Sequence, residues 1–244
     1  MIITTCRAEI ESTRLIADNI EGFISDAEGV FLYKAAKSCE GKGVIVEIGS
    51  LKGKSTIWLA RGSKAGNNIK VYAIDPHKGS SEHMKKRGEI CTYQEFKRNI
   101  AQTNVDDIVI PIVKTSEDAG RDWDGKPIEL LWIDGAHEYE MVKLDFDLWS
   151  PYLIEGGIIV FHDTIGWPGP RRVVKEKIYT SRNFTNVGFI YSITYARKVR
   201  TNSITQRIRN HWVLFLKDIC ELGINLQPPG PIKRLANKIV SIIQ

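Results

Sequence analysis

Residues 128–164 read IELLWIDGAHEYEMVKLDFDLWSPYLIEGGIIVFHDT. Two apolar runs, 128–133 and 158–161, each lead into acid: Asp134 after the first, His162 and Asp163 after the second. The segment between them is amphipathic, so the stretch has the form strand, helix, strand. In an open parallel sheet, ligands bind outside the carboxyl ends of the strands. Carboxylates delivered to neighbouring strand ends would therefore share one site. That arrangement suits a hard divalent cation or an acid/base pair.

The same architecture recurs upstream. Residues 43–48, GVIVEI, form a short apolar run that enters Gly49-Ser50-Leu51-Lys52-Gly53-Lys54-Ser55-Thr56, and Ile57, Trp58, Leu59 and Ala60 follow at helical density. A glycine turn between strand and helix lets backbone approach a ligand closely. The next run, 71–74, ends in Asp75, an acid placed to accept hydrogen bonds from a ribose diol.

Extending the pattern predicts strands over 43–48, 70–75, 108–113, 128–134 and 157–162, with helices over 54–63, 92–103, 116–121 and 138–150. The alternation implies an α/β, doubly wound, parallel sheet with right-handed crossovers. Residues 1–25 read as a lead-in. Ser25-Asp26-Ala27-Glu28 has capping-box spacing and opens a helix with Phe31, Leu32, Ala35 and Ala36 on one face. After Thr164, residues 166–170 (GWPGP) read as irregular. A helix over 171–180, a hairpin within 187–199 and a helix over 203–222 are expected. A Pro-rich break at 227–231 precedes a basic amphipathic helix over 232–243, with Ile232, Leu235, Ile239 and Ile242 aligned. We divide the chain into a domain over 1–200 and a basic helical extension over 201–244.

Composition narrows the classes. A chain of 244 residues, 43% hydrophobic, suits one α/β domain with some elaboration. No run reaches the ~18 apolar residues of a membrane span. The start, MIITTCRAEIES, lacks the pattern of a signal peptide. Cys6, Cys39, Cys91 and Cys220 are scattered, which fits a reducing cytoplasm better than a zinc site or disulfide framework. Charge is uneven: residues 166–244 hold 14 Lys/Arg against 3 Asp/Glu. A basic surface attracts phosphates, acidic glycans or anionic lipid, although a plain solvated face accounts for it equally well.

Taken together, the motifs VEIGSLKGKST, the Asp75 strand end, Ser116-Glu117-Asp118, WIDGAHEYEMVKLDFDLW and EGGIIVFHDT resemble a class I S-adenosyl-L-methionine (SAM)-dependent methyltransferase. More narrowly, they are similar to the branch carrying D-G-x-H-x-Y and F-H-D segments. That branch holds sugar and antibiotic O-methyltransferases and lies near the metal-dependent catechol-type enzymes. The resemblance covers roughly residues 25–165. Leu51 stands where the commoner loop has its middle glycine. The resemblance implies a mostly parallel, seven-stranded Rossmann-like sheet.

It also implies roles. Glu47, Gly49, Ser50 and Gly53 would line the amino-acid end of SAM, Asp75 the ribose, and Ser116 and Glu117 the adenine. Ser55 would cap the following helix if it does not join them. Asp134 would serve both cofactor and chemistry. Asp134 and Asp163 would hold a divalent ion, magnesium by availability, with His162 or Thr164 as neighbours. The other reading gives the two aspartates capping and orienting roles. His137 stands where the catechol-type enzymes carry a lysine, and is the expected base if it does not merely orient Asp134. His77 and the polar run after it would form a lid, an acceptor surface or a plain solvated loop. Trp58 and Trp132 are expected in the core.

The expected acceptor is a sugar or glycan hydroxyl, phosphorylated or lipid-linked, with a phenol or catechol second. Nucleic acid is not expected, since no N-P-P-Y-type segment or RNA-binding module is present. Residues 232–243 would touch a membrane or form a subunit contact in a homo-oligomer. One rival stands beside this reading: Tyr139 and Lys143 match the Y-x-x-x-K pair of short-chain NAD(P) oxidoreductases. The glycine spacing and the missing upstream serine count against it.

Overall fold

The computed structural model describes residues 2–79 and 91–226. The element order is α1 (Ile2–Ala17), α2 (Asp26–Lys37), β1 (Val44–Ile48), α3 (Lys54–Lys64), β2 (Val71–Ile74), α4 (Tyr93–Gln102), β3 (Val109–Ile112) and α5 (Ser116–Arg121). It continues with β4 (Ile128–Ile133), α6 (Tyr139–Trp149), β5 (Leu153–Phe161), α7 (Pro168–Val174), β6 (Phe184–Ile190), β7 (Ile193–Lys198) and α8 (Ile204–Leu226). The expected amphipathic helix over 232–243 lies outside the described residues.

The seven strands form one sheet in the order β3-β2-β1-β4-β5-β7-β6. Neighbours among β1–β5 pair in parallel, while β7 runs antiparallel to both β5 and β6. β4 is buried at every position, as a central parallel strand covered on both faces must be. Two apolar layers result. Leu32, Ile57, Trp58 and Trp132 pack on one side; Val46, Leu131, Phe146, Trp149 and Phe161 pack on the other. Trp58 and Trp132 are thus core residues, as expected.

The capping box of α2 forms as the spacing predicts, with Ser25 and Glu28 bonded reciprocally. Two expectations fail locally. β5 begins at Leu153, four residues early, because Gly156 at φ 85° lets the strand pair through a register shift opposite β4. Residues 168–170 are helical, because prolines in a first helical turn forfeit only amides that have no intrahelical partner. α8 packs on the sheet through Val213, with Leu216 also buried, and Asn210 bonds the Phe184 carbonyl.

Candidate active site

Strand order reverses between β1 and β4, so their carboxyl ends border the crevice where such sheets bind ligands. Here the two strand ends are pressed together. The Asp134 amide donates to the Ile48 carbonyl at 2.8 Å, and Gly49 stands at φ 88°. A Cβ on Gly49 would run into the Asp134 carbonyl, so only glycine permits this approach. Leu51, the departure from the glycine pattern, adopts φ 46°, a left-handed conformation that side chains disfavour. Asp75 holds it there: one carboxylate oxygen accepts from the Ser50 and Leu51 amides at 2.9 and 2.7 Å, the other from the His77 amide at 2.6 Å. The ribose candidate therefore also fastens the glycine loop to β2.

Glu47 is fully buried beneath this loop, and accepts from the Ser55 and Thr56 hydroxyls at 2.5 Å each. Ser55 thus bonds Glu47; Gly53 is the N-cap of α3 and has no side chain to cap it. Burial raises the Glu47 carboxyl to about 8, against the pull of those two hydroxyls. The Ser50 hydroxyl is buried in the crevice without a hydrogen-bond partner. A glycine cradle with an orphaned hydroxyl is a fitting seat for the polar end of a nucleoside cofactor.

Beside it, Asp134, His162 and Asp163 bring one ligand atom each within 4.8 Å of the others. Asp163 reaches the cluster because its backbone is left-handed, at φ 54°. His162 Nδ1 lies 3.0 Å from Asp134 and 3.4 Å from Asp163, and Nε2 lies 3.7 Å from Glu28. These are ion-pair distances, but neither ring nitrogen has an aligned hydrogen bond. Burial opposes charge on His162, but Asp134, then Asp163 and Glu28, outweigh it and push its pKa up to about 12. Asp134 is raised by burial, with His162 pulling the other way. Burial would raise Asp163, but the imidazoles of His137 and His162 beside it outweigh that and hold it below the usual carboxylate range. The donor set, two carboxylates and a buried imidazole, fits a divalent ion, which would take the place of the proton on His162.

His137 Nε2 lies 2.9 Å from Asp163, and its ring stacks on Trp167 with centroids 4.3 Å apart. Gly169 makes this possible, since a Cβ there would collide with the His137 carbonyl and hold α7 away. Glu28 completes the arrangement. One oxygen accepts from the Ser25 amide and hydroxyl, the other from the Ser192 amide and hydroxyl, all at 2.7–2.9 Å.

Other expected residues fall as follows. Ser116 accepts from the Trp149 indole at 2.9 Å and also bonds the buried Asp145 carboxyl, which burial raises to about 7. Glu117 pairs with Arg121 on the surface. His77 is buried and bonded to Thr92 at 2.9 Å, so it belongs to the packing; residues 80–90 lie outside the described residues. Thr164 adjoins the cluster in sequence but offers it no ligand: its hydroxyl is spent on the Ser192 carbonyl and on Thr194. Tyr139 bonds Glu176 while Lys143 bonds Asp147, so the oxidoreductase pair does not form. Glu28 and Trp167 were missed as site residues. Glu28 was legible only as a cap, and nothing local marks Trp167.

This sheet order, with its crevice between β1 and β4, is that of a class I methyltransferase fold. Residues 46–164 match the family model described as a methyltransferase domain. An uncharacterised protein of Acanthamoeba polyphaga mimivirus is 32% identical over 121 residues, 48% of this chain and 50% of that one. A catechol O-methyltransferase of Mycobacterium tuberculosis is 29% identical over 142 residues, 58% of this chain and 56% of that one. The chain spans about half the length of these two relatives. Among solved structures, the O-methyltransferase from Bacillus cereus, in complex with SAH, superposes with a TM-score of 0.55. It is 19% identical, covering 78% of this chain and 91% of that one. No described helix is long and apolar enough to cross a membrane.

Proposed function

We propose that the protein is a SAM-dependent O-methyltransferase, metal-assisted, acting on a sugar or glycan hydroxyl. The observation that carries this reading is one crevice bordered by the glycine loop, Asp75 and the Asp134–His162–Asp163 cluster. When bound, SAM supplies an activated methyl group and a divalent ion lowers the proton affinity of the acceptor hydroxyl. Magnesium is the proposed ion, and the imidazole in the donor set admits manganese as well. Glu47, Gly49, Ser50 and Gly53 bind the polar end of the cofactor, Asp75 the ribose, and Ser116 and Glu117 the adenine side. His137 takes the acceptor proton, and Asp163 orients its ring and stabilises the imidazolium that forms.

The relative that is a catechol O-methyltransferase favours a second reading, a phenol or catechol acceptor. Methyl transfer from labelled SAM to a panel of sugars, uronates and catechols, with and without magnesium, separates the two. No transfer to any hydroxyl in the panel, with SAM bound, would count against both.

We further propose that the acceptor is met at an anionic membrane surface. α8 exposes Ile204, Ile208, Trp212, Phe215 and Ile219 along one face, each 44–67% accessible, beside Arg207 and Arg209. Aromatic and aliphatic side chains flanked by arginine suit a lipid interface. Flotation with phosphatidylserine vesicles, lost in Trp212→Ser, is the expected result. A concentration-dependent dimer by light scattering without flotation would give the stripe to a second copy instead.

A further inference from the structure

We propose that the cleft between α7 and α8 binds a carboxylate or phosphate group of the methyl acceptor, with Lys217 as its counter-ion. Calling the ligand the acceptor rests on the proposed function; the anion chemistry does not.

The cleft has a volume of about 280 Å³ and is lined by Trp167, Pro168, Arg171, Leu214, Lys217 and Glu221, among others. That is near the lower end of ligand clefts, roughly 300–1,000 Å³, and suits one sugar ring. Its charges are not balanced pair by pair. Arg171 is satisfied by Asp218 at 2.9 Å and Glu221 at 3.0 Å. Lys217, only 2% exposed, bonds the Thr194 hydroxyl at 2.8 Å, and no described carboxylate stands at ion-pair distance from it. An ammonium carries three donors, and a buried one without an opposite charge is costly. Burial pulls Lys217 down to about 7; Glu221 and Asp218 raise it and Arg171 lowers it further. A bound anion supplies the missing charge and takes the spare donors. Arg172 and Lys175, which also line the cleft, add attraction for an anion.

The cleft adjoins the chemistry. Trp167 lines it and also stacks on His137. Thr194, the partner of Lys217, is bonded at 2.7 Å to Thr164, the residue after Asp163. An acceptor anchored by its charge on Lys217 would extend past Trp167 toward the His137–Asp163 pair. Pro168, Val174 and Leu214 supply apolar wall for the ring.

The test is calorimetric titration of the full chain with glucuronate and with glucose 6-phosphate, against glucose as the neutral counterpart. Glucuronate or glucose 6-phosphate is expected to bind at least about tenfold more tightly than glucose, as for a charge-assisted bond. The tighter of the two names the charged group. Lys217→Met should lose about tenfold or more of that affinity, and Leu214→Trp should abolish binding by filling the cleft. S-adenosylhomocysteine binding on the same samples reports the fold of each variant. It also separates the claims: wild-type protein that takes the anion but no S-adenosylhomocysteine would sink the methyltransferase reading and leave this site standing. Equal binding of glucose and both anions by the wild type would overturn the proposal without recourse to any variant. So would a folded Lys217→Met that binds the anion as well as the wild type does.

Discussion

Glu28→Gln is the substitution that most sharply probes how the site is held. The Glu28 carboxylate, 3% exposed, is squeezed between two sets of donors, the amide and hydroxyl of Ser25 and those of Ser192. Glutamine offers one acceptor oxygen, so its amide nitrogen must face one of the two backbone N–H groups, which cannot turn away. Leaving a buried donor unpaired costs about 1–3 kcal/mol. The same change removes one of three carboxylates around His162, and weakening a buried charge pair adds about 1–2 kcal/mol. We expect a loss of about 3 kcal/mol in urea denaturation at neutral pH, a midpoint shift of roughly 1–2 M. Glu28→Ala should cost about as much, with the cap lost as well. A loss below about 1 kcal/mol for both variants would refute the view that Glu28 ties α2, the β6–β7 turn and His162 together.

Further expectations follow from the same geometry. Gly169→Ala should push α7 from the His137 loop and lower methyl transfer about tenfold or more, with S-adenosylhomocysteine affinity unchanged. Gly49→Ala combines a left-handed backbone with a collision at Asp134, and should cost about 2–5 kcal/mol in urea denaturation and weaken cofactor binding. The Asp145 carboxyl, raised by burial to about 7, binds its proton more tightly folded than unfolded. Stability from it is therefore present below pH ~4 and lost as pH rises through 7. Relative to wild type, Asp145→Asn should gain about 2–3 kcal/mol between pH 5 and pH 8, read from urea midpoints. A flat difference would remove that assignment.

The fold was legible where periodicity and strand-end chemistry agree. Ile128–Ile133 running into Asp134 announced a buried parallel strand and its cargo, and the Gly49–Gly53 loop announced the turn beneath a ligand. The hairpin that closes the sheet was visible as an apolar run over 187–199. The glycines were read as turn formers, and the reason Gly49 is needed, the backbone of Asp134, lies 85 residues away. Glu28 shows the same limit: its capping box is local, whereas Ser192 and His162 meet it only through the sheet. His162 enters the sequence reading only as a neighbour of the two aspartates. Its place between Asp134 and Asp163 depends on the left-handed turn at Asp163, which no spacing encodes. The proline-opened α7 was read as a break, and with it the role of Trp167 was lost.

The central claim is that the crevice between β1 and β4 binds SAM. Calorimetric titration of the full chain with S-adenosylhomocysteine tests it directly. The account predicts one-site binding in the micromolar range, weakened at least about tenfold by Asp75→Ala. Folded protein that takes up no S-adenosylhomocysteine would contradict it, and the Asp134–His162–Asp163 cluster would then serve another chemistry.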